Sequence, residues 1–229
     1  NKVLWNPPSQ LINKSHITRF INEVNQEFNL NITSYSELHK WSITHIDYFW
    51  KKILSFSDIL YDGEIDQVID DKSKMPGAEW FKGIKLNYAE NLLKFNNNKV
   101  AIESYSEDGS KVTLTYRELN NKVIALSSYL KSIGIKEGDR VAAVMPNIPE
   151  TIIMMLAATS LGAIWTSCSP DFGINAILDR FKQVKPKVLL AADGYMFKGK
   201  YFPIRDKIKI IFNKLDSLIK IVGVSYIHE

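Results

Sequence analysis

The chain carries a single cysteine, Cys168, among 229 residues, which excludes a disulfide framework and fits a reducing compartment. That thiol lies in an apolar run with no base paired to it, so it reads as a buried core residue rather than a nucleophile. Long apolar runs are also missing. The longest, Ile152–Ala158, is far short of a bilayer's span, and the first residues show no basic-plus-apolar signal pattern. No membrane partner is expected, and the cytoplasm is the expected compartment. Charge of one sign is scarce as well. A formal net charge of +4 comes from Lys interleaved with Asp and Glu, without the basic stripe that nucleic-acid binding needs. His39 and His45 lack the helical spacing of a zinc pair, and no cysteine or acidic cluster supports them, so no metal site is expected. The sequons at Asn13 and Asn31 stand without a secretory signal and read as chance matches. A first residue of Asn rather than Met suggests a trimmed start.

What is present centres on residues 140–173. Arg140–Met145 is a short apolar run that reads as a buried strand. Pro146 and Pro149 stop it, because proline supplies no ladder donor and biases its predecessor away from helix. Pro149 suits a first helical turn, and Glu150 complements its positive end. Thr151–Leu161 continues that helix, Gly162 closes it, and Ala163–Cys168 is a second apolar run. Strand, helix and strand predict parallel neighbours with a right-handed crossover. Downstream, the pattern predicts a helix over Ile174–Val184 and a third strand over Lys187–Ala191. It then predicts a helix from Pro203 to about Leu218 and a fourth strand over Ile219–Val224. The expected class is α/β, a mostly parallel twisted sheet with helices on both faces.

Upstream, Val100–Tyr105 and Val112–Thr115 flank Glu107-Asp-Gly-Ser110, which predicts a β-hairpin. Thr115 and Glu118 form a capping box for a helix carrying Leu119, Val123, Leu126 and Leu130. Three further helices are expected. Ser15 caps the first, which runs to Phe28. The second starts at Ser34 with Leu38 and Trp41 apolar, and the third spans Asp47–Leu54 with Phe49, Trp50 and Ile53 inward. Residues 63–83 read as irregular, with a Pro76-Gly77 turn and a Trp80-Phe81 anchor, and the aromatics read as packing rather than ligand cages. The expected organisation is a helical and irregular extension over 1–98 and an α/β part over 99–229.

Ligands of open α/β sheets gather outside the carboxyl ends of the strands, which points to Pro146–Pro149 and Ser169–Gly173. Asp171 reads equally well as the cap of the following helix. Gly194 to Lys200 nearly matches a phosphate-binding loop. Tyr201 replaces the hydroxyl residue that would hold magnesium, and Pro203 removes an amide donor, so no such loop is predicted.

MPNIPE, the apolar helix after it, LGA and SPDFG together resemble the adenylate-forming acyl-CoA synthetases, and the resemblance runs from Leu4 to at least Ile204. SPDFG, with Pro170-Asp171 where acetyl-CoA synthetases carry a glycine pair, is more similar to the acetoacetyl-CoA synthetases. YSELHKWSITHIDYFW and MPGAEWFKGIKLNYAENLL resemble the amino-terminal extension of short-chain members, and TYRELNNKVIALSSYLKSIGIKEGDRV the run before their first parallel strand. The resemblance implies two half-reactions. ATP and magnesium activate a carboxylate as an acyl-adenylate, releasing pyrophosphate, and coenzyme A then displaces AMP. It also implies that a basic loop with Lys198 and Lys200, in place of arginines, meets the 3′-phosphate of coenzyme A. Lysine does so as a point charge without the guanidinium fork. Ser169, Pro170, Asp171, Phe172 and Gly173 would border the thioester-forming tunnel. Arg180 matches a family arginine, although a helix-surface role fits it equally.

The family's Gly/Ser/Thr-rich phosphate loop ending in Pro-Lys, its adenine segment, its ribose-binding aspartate and its carboxy-terminal lysine are not in this sequence and are expected after Glu229. The resemblance therefore implies an amino-terminal portion with no catalytic residue of its own, inactive alone. Its partners would be small-molecule substrates and the remainder of the same enzyme. A ligase for acetate or propionate and a self-standing binding module are the alternatives.

Overall fold

The computed structural model describes residues 4–227, so the position expected to precede the missing motifs, Glu229, lies outside the described residues. The chain divides into two compact units, Asn1–Leu86 and Asn87–Glu229.

The first unit opens with helices α1 (Ser9–Asn13), α2 (His16–Phe28), α3 (Tyr35–Thr44) and α4 (Ile46–Phe56). The hydroxyl of Ser15 accepts the Thr18 N–H and starts α2. Ser34 and Glu37 form a capping box at α3. Phe20, Val24, Ile32, Leu38 and Trp41 make a small core, in which Phe20 meets Phe49 and Phe56 edge-on. Trp50, expected inside, is 42% exposed and meets the 44% exposed Trp80 edge-on. Its place on α4 puts it beside a strand rather than in the helix core. Residues 63–83, expected to be irregular, hold an antiparallel pair, β1 (Asp62–Ile69) and β2 (Trp80–Lys85). The strands approach so closely at Gly63 (φ +94°) that a Cβ there would sit 2.3 Å from the Gly83 carbonyl oxygen; only glycine fits.

The second unit begins with α5 (Tyr88–Leu92), the hairpin β3 (Val100–Tyr105) and β4 (Lys111–Thr115), and α6 (Tyr116–Ser132). Asn87 donates to the Thr159 carbonyl and Ala89 is fully buried in the core of this unit, which ties residues before position 99 to it. The Thr115–Glu118 capping box forms as expected. Thr115→Ala should therefore lower stability by about 1 kcal/mol, read as a lower urea midpoint with unchanged slope.

Next come β5 (Arg140–Val144), α7 (Pro149–Ser160), β6 (Ile164–Cys168), α8 (Ile174–Val184) and β7 (Val188–Ala192). A second hairpin, β8 (Gly194–Phe197) and β9 (Lys200–Pro203), precedes α9 (Arg205–Asn213) and β10 (Lys220–Val224). β10, β7, β5 and β6 form one parallel sheet in that order. Successive residues of β5 point to opposite faces. Val141 and Ala143 enter a core with α6 and α7 residues, whereas Ala142 and Val144 enter one with α8 and α9 residues. Helices thus cover both faces, as the α/β reading expected. Pro203 differs from expectation. It ends a strand, because Tyr201 and Phe202 favour extended backbone and Lys198-Gly199, both at positive φ, make a two-residue hairpin turn.

Candidate functional site

The strand order locates the site. From β5 the chain crosses through α7 to β6 on one side, and from β6 it returns through α8 to β7 on the other side of β5. The order therefore reverses between β5 and β7, and the crevice beyond their carboxyl ends is where such sheets bind ligands. A cavity of about 350 Å3 lies there. Ile148, Pro149 and Glu150 line it from the start of α7, Met196 and Tyr201 from the β8–β9 hairpin, and Ser225 and Tyr226 from the end of β10. Ser104, Ser106, Asp108 and Ser110 close it from the β3–β4 hairpin. The lining mixes hydroxyls and two carboxylates with the apolar side chains of Val112, Ile148, Met196 and Val224, and its carboxylates do not suit bare phosphate.

Asp193 ties down the segment that brings Ser225 and Tyr226 to the cavity. Its carboxylate is buried and accepts the N–H groups of Tyr226 (2.8 Å) and Ile227 (2.9 Å) and the Ser225 hydroxyl (3.3 Å). Its backbone bonds Val224 and Ile204, so one residue joins the ends of β7 and β10 to the start of α9. At the opposite edge of the sheet, the Asp139 carboxylate holds the Lys136 N–H (2.9 Å) and the Lys187 ammonium (2.6 Å). The Lys187 ammonium is the main reason its carboxyl lies below the ordinary range.

Ser169–Gly173 leaves the carboxyl end of β6 with alternating burial. Ser169, Asp171 and Gly173 face outward, Pro170 is buried and Phe172 half-buried. Arg180 stacks over the Phe172 ring at 4.9 Å and donates to the Ala176 carbonyl. The N-cap of α8 is Gly173, two residues on, so Asp171 is not its cap. Lys207 of α9, a residue sequence reasoning did not single out, donates to the carbonyl oxygens of Pro170 (2.8 Å) and Phe172 (3.0 Å). Burial pushes its ammonium pKa down, and the nearby Asp171 charge opposes this.

Lys198 and Lys200 sit at the exposed tip of the β8–β9 hairpin. The Lys198 ammonium lies 5.1 Å from the centre of the Phe197 ring, and the Gly199 N–H donates to Glu107. The hairpin and the Ser169–Gly173 loop emerge from one edge of the sheet, from strands two positions apart, roughly 10 Å at ordinary strand spacing. The 350 Å3 cavity is lined by neither lysine and by no residue of Ser169–Gly173. Cys168 is buried, and burial raises its thiol pKa against the opposing Arg180 charge, which suits packing rather than nucleophilic attack. Among the described residues no group of three His, Cys, Asp or Glu could hold a metal ion, and no helix is long and apolar enough to cross a membrane.

A family model described as AMP-binding enzyme matches residues 89–221, which takes in β5, β6, β7 and the first two residues of β10, both hairpin tips of this unit and the Ser169–Gly173 loop. The chain belongs to the AMP-binding enzyme family. A model for the acetyl-coenzyme A synthetase N-terminus also matches, over residues 35–92. Among AMP-binding relatives, an acetoacetyl-CoA synthetase of Xenopus tropicalis is 40% identical over 99% of this chain and 34% of its own length. A malonamoyl-CoA synthetase of Penicillium aethiopicum is 32% identical over 96% of this chain and 31% of its own. The solved acetoacetyl-CoA synthetase from Streptomyces lividans superposes with a TM-score of 0.92 at 34% identity, covering all of this chain and 36% of that one. The chain thus spans about a third of the length of the relatives it matches.

Proposed function

We propose that this chain is the amino-terminal part of an ATP-dependent ligase that joins acetoacetate to coenzyme A through an acyl-adenylate, releasing pyrophosphate and then AMP. The observation that carries this reading is similarity across the whole chain, in sequence and in fold, to acetoacetyl-CoA synthetases. In this reading residues 1–98 are the extension of the short-chain members, 99–229 are the scaffold, and catalysis requires the remainder of the enzyme.

Coenzyme A fits what is present. It supplies the thiol that becomes the thioester. Lys198 and Lys200 stand at an exposed tip as point charges for its 3′-phosphate, with Glu107 beside Gly199 as an opposing charge at that turn. Ser169, Asp171 and Gly173 form the outward wall along which the thiol arm would lie, while Pro170 and Phe172 anchor that wall to the fold.

Acid-dependent ATP–pyrophosphate exchange by the full-length gene product tests the reading, with acetoacetate, acetate and propionate at matched concentration. Preference for acetoacetate is expected. The malonamoyl-CoA synthetase relative favours one second reading, a ligase of the same kind for a different short acid, and exchange preferring another acid would select it. No exchange from folded protein would remove the ligase reading.

The lysine tip makes a separate expectation. Lys198→Ala with Lys200→Ala should raise KM for coenzyme A about tenfold, the scale of a lost charge-assisted bond. The difference should vanish with dephospho-coenzyme A, which lacks the 3′-phosphate. An equal rise with both thiols would place that phosphate elsewhere.

A further inference from the structure

We propose that Lys207 is a positioning residue that fixes the Ser169–Gly173 loop in the shape coenzyme A meets. This rests on the coenzyme A reading of that loop and adds the residue that sets its geometry.

The loop links the end of β6 to α8, and its backbone makes one turn bond of its own, from the Phe172 N–H to the Ser169 carbonyl at 3.3 Å, long for such a bond. At its far end the Gly173 carbonyl accepts the Ile177 N–H of α8, and between the two the fastenings come from side chains. The Lys207 ammonium reaches across from α9 to the carbonyl oxygens of Pro170 and Phe172, one on each side of Asp171. A cation donating to two carbonyls makes stronger bonds than a neutral donor would. Two such bonds spanning three residues fix the peptide planes of Pro170 and Phe172 and therefore the direction in which Asp171 projects. The ring of Phe172 is pinned separately by Arg180.

The location of Lys207 also argues against a solvated surface lysine. Its side chain is only partly exposed, and desolvation disfavours its charge. A chain that places an ammonium there and satisfies it with loop carbonyls, in place of a carboxylate salt bridge, is using the charge to hold backbone. α9 also follows the β8–β9 hairpin directly. The same short segment therefore carries the lysine tip and the loop's clamp, and a shift of α9 would move both walls together.

The test uses the full-length enzyme with Lys207→Met, which keeps the aliphatic stem and removes the donors, and Lys207→Arg, which restores donors. Hydrogen exchange at the amides of residues 171–174 reads the loop itself, and KM for coenzyme A reads the consequence. Lys207→Met should speed exchange at those amides and raise KM for coenzyme A about tenfold, the order of losing charge-assisted bonds, and Lys207→Arg should recover most of both. Unchanged exchange in a folded Lys207→Met protein would overturn the clamp. Faster exchange with unchanged KM would overturn its role toward coenzyme A. Should the unsubstituted enzyme show no acid-dependent pyrophosphate exchange, the ligase reading fails separately, and the amide measurement still decides whether Lys207 holds the loop.

Discussion

Asp193→Ala should destabilise this chain by about 3 kcal/mol, the scale of stranding more than one buried donor. Its carboxylate receives the N–H groups of Tyr226 and Ile227 together with the Ser225 hydroxyl, and alanine leaves all three without that acceptor. The loss should appear as a lower urea midpoint, and the cavity residues Ser225 and Tyr226 should lose protection from hydrogen exchange first. A pH dependence accompanies it. Burial alone would raise the Asp193 carboxyl, but the N–H groups of Ile227 and Tyr226, the Ser225 hydroxyl and the Arg205 charge outweigh it and hold the pKa below the ordinary value. A depressed carboxyl stabilises the fold above its unfolded pKa, about 3.9. That contribution is lost as pH falls through the folded value. The gap between the unsubstituted chain and Asp193→Ala should thus be full at neutral pH and shrink below about pH 4. A gap that stays constant down to pH 3 would mean the charge contributes nothing.

Gly173→Leu in the full-length enzyme should cut kcat/KM for coenzyme A roughly 100-fold, the scale of a small misplacement at a reacting centre, with only the small drop in melting temperature that a poorer N-cap brings. Beyond its place as the N-cap of α8, which leucine fills less well, the fold asks little of glycine here. Gly173 has φ −64°, which any residue adopts, and an added Cβ would meet nothing within 4 Å. It supplies no cap hydrogen bond that leucine would forfeit. A kinetic cost far larger than the loss of stability would therefore mean that the open space beside Gly173 belongs to a substrate. Unaltered kinetics would put Ser169–Gly173 outside the path of coenzyme A.

The parallel βαβ unit was legible because punctuation and periodicity agreed. Pro146 and Pro149 separate an apolar run from a helix, and Gly162, at φ +70°, separates that helix from the next run. Thr115 and Glu118 were legible for a local reason, since both halves of a capping box lie within four residues. β1 and β2 were not. Their side chains are mostly exposed on both faces, so Asp62–Ile69 lacks the alternation that marks a strand, and its pairing is set by close backbone approach at Gly63 and Gly83. The β8–β9 hairpin was obscured because Gly194 to Lys200 has the glycine spacing of a phosphate loop, while the decisive signal was the Lys198-Gly199 turn between extended-chain formers.

For the site, the loop after β6 was legible from its position at a strand end. Of the crevice between β5 and β7, the wall at Ile148 and Pro149 lies in the Pro146–Pro149 stretch that its strand-end position marked; the rest was not legible, because strand order is a property of pairing and leaves no mark in the sequence. Asp193 lies more than thirty residues from Ser225 and Tyr226 and meets them only when β7 and β10 align. Lys207 was hidden for another reason: on a helix with Arg205, Asp206 and Lys209 as neighbours, a lysine looks solvated until its partners are seen to be carbonyls.

β10 stands last in its sheet, so one side of Lys220–Val224 has no partner strand among the described residues. Lys220 is the only charge along it, and it carries no proline. A bare edge of this kind templates pairing with another chain. Prepared by itself, this stretch of protein would find that partner in a second copy, and self-association, rising with concentration, would set the upper limit on how it can be handled.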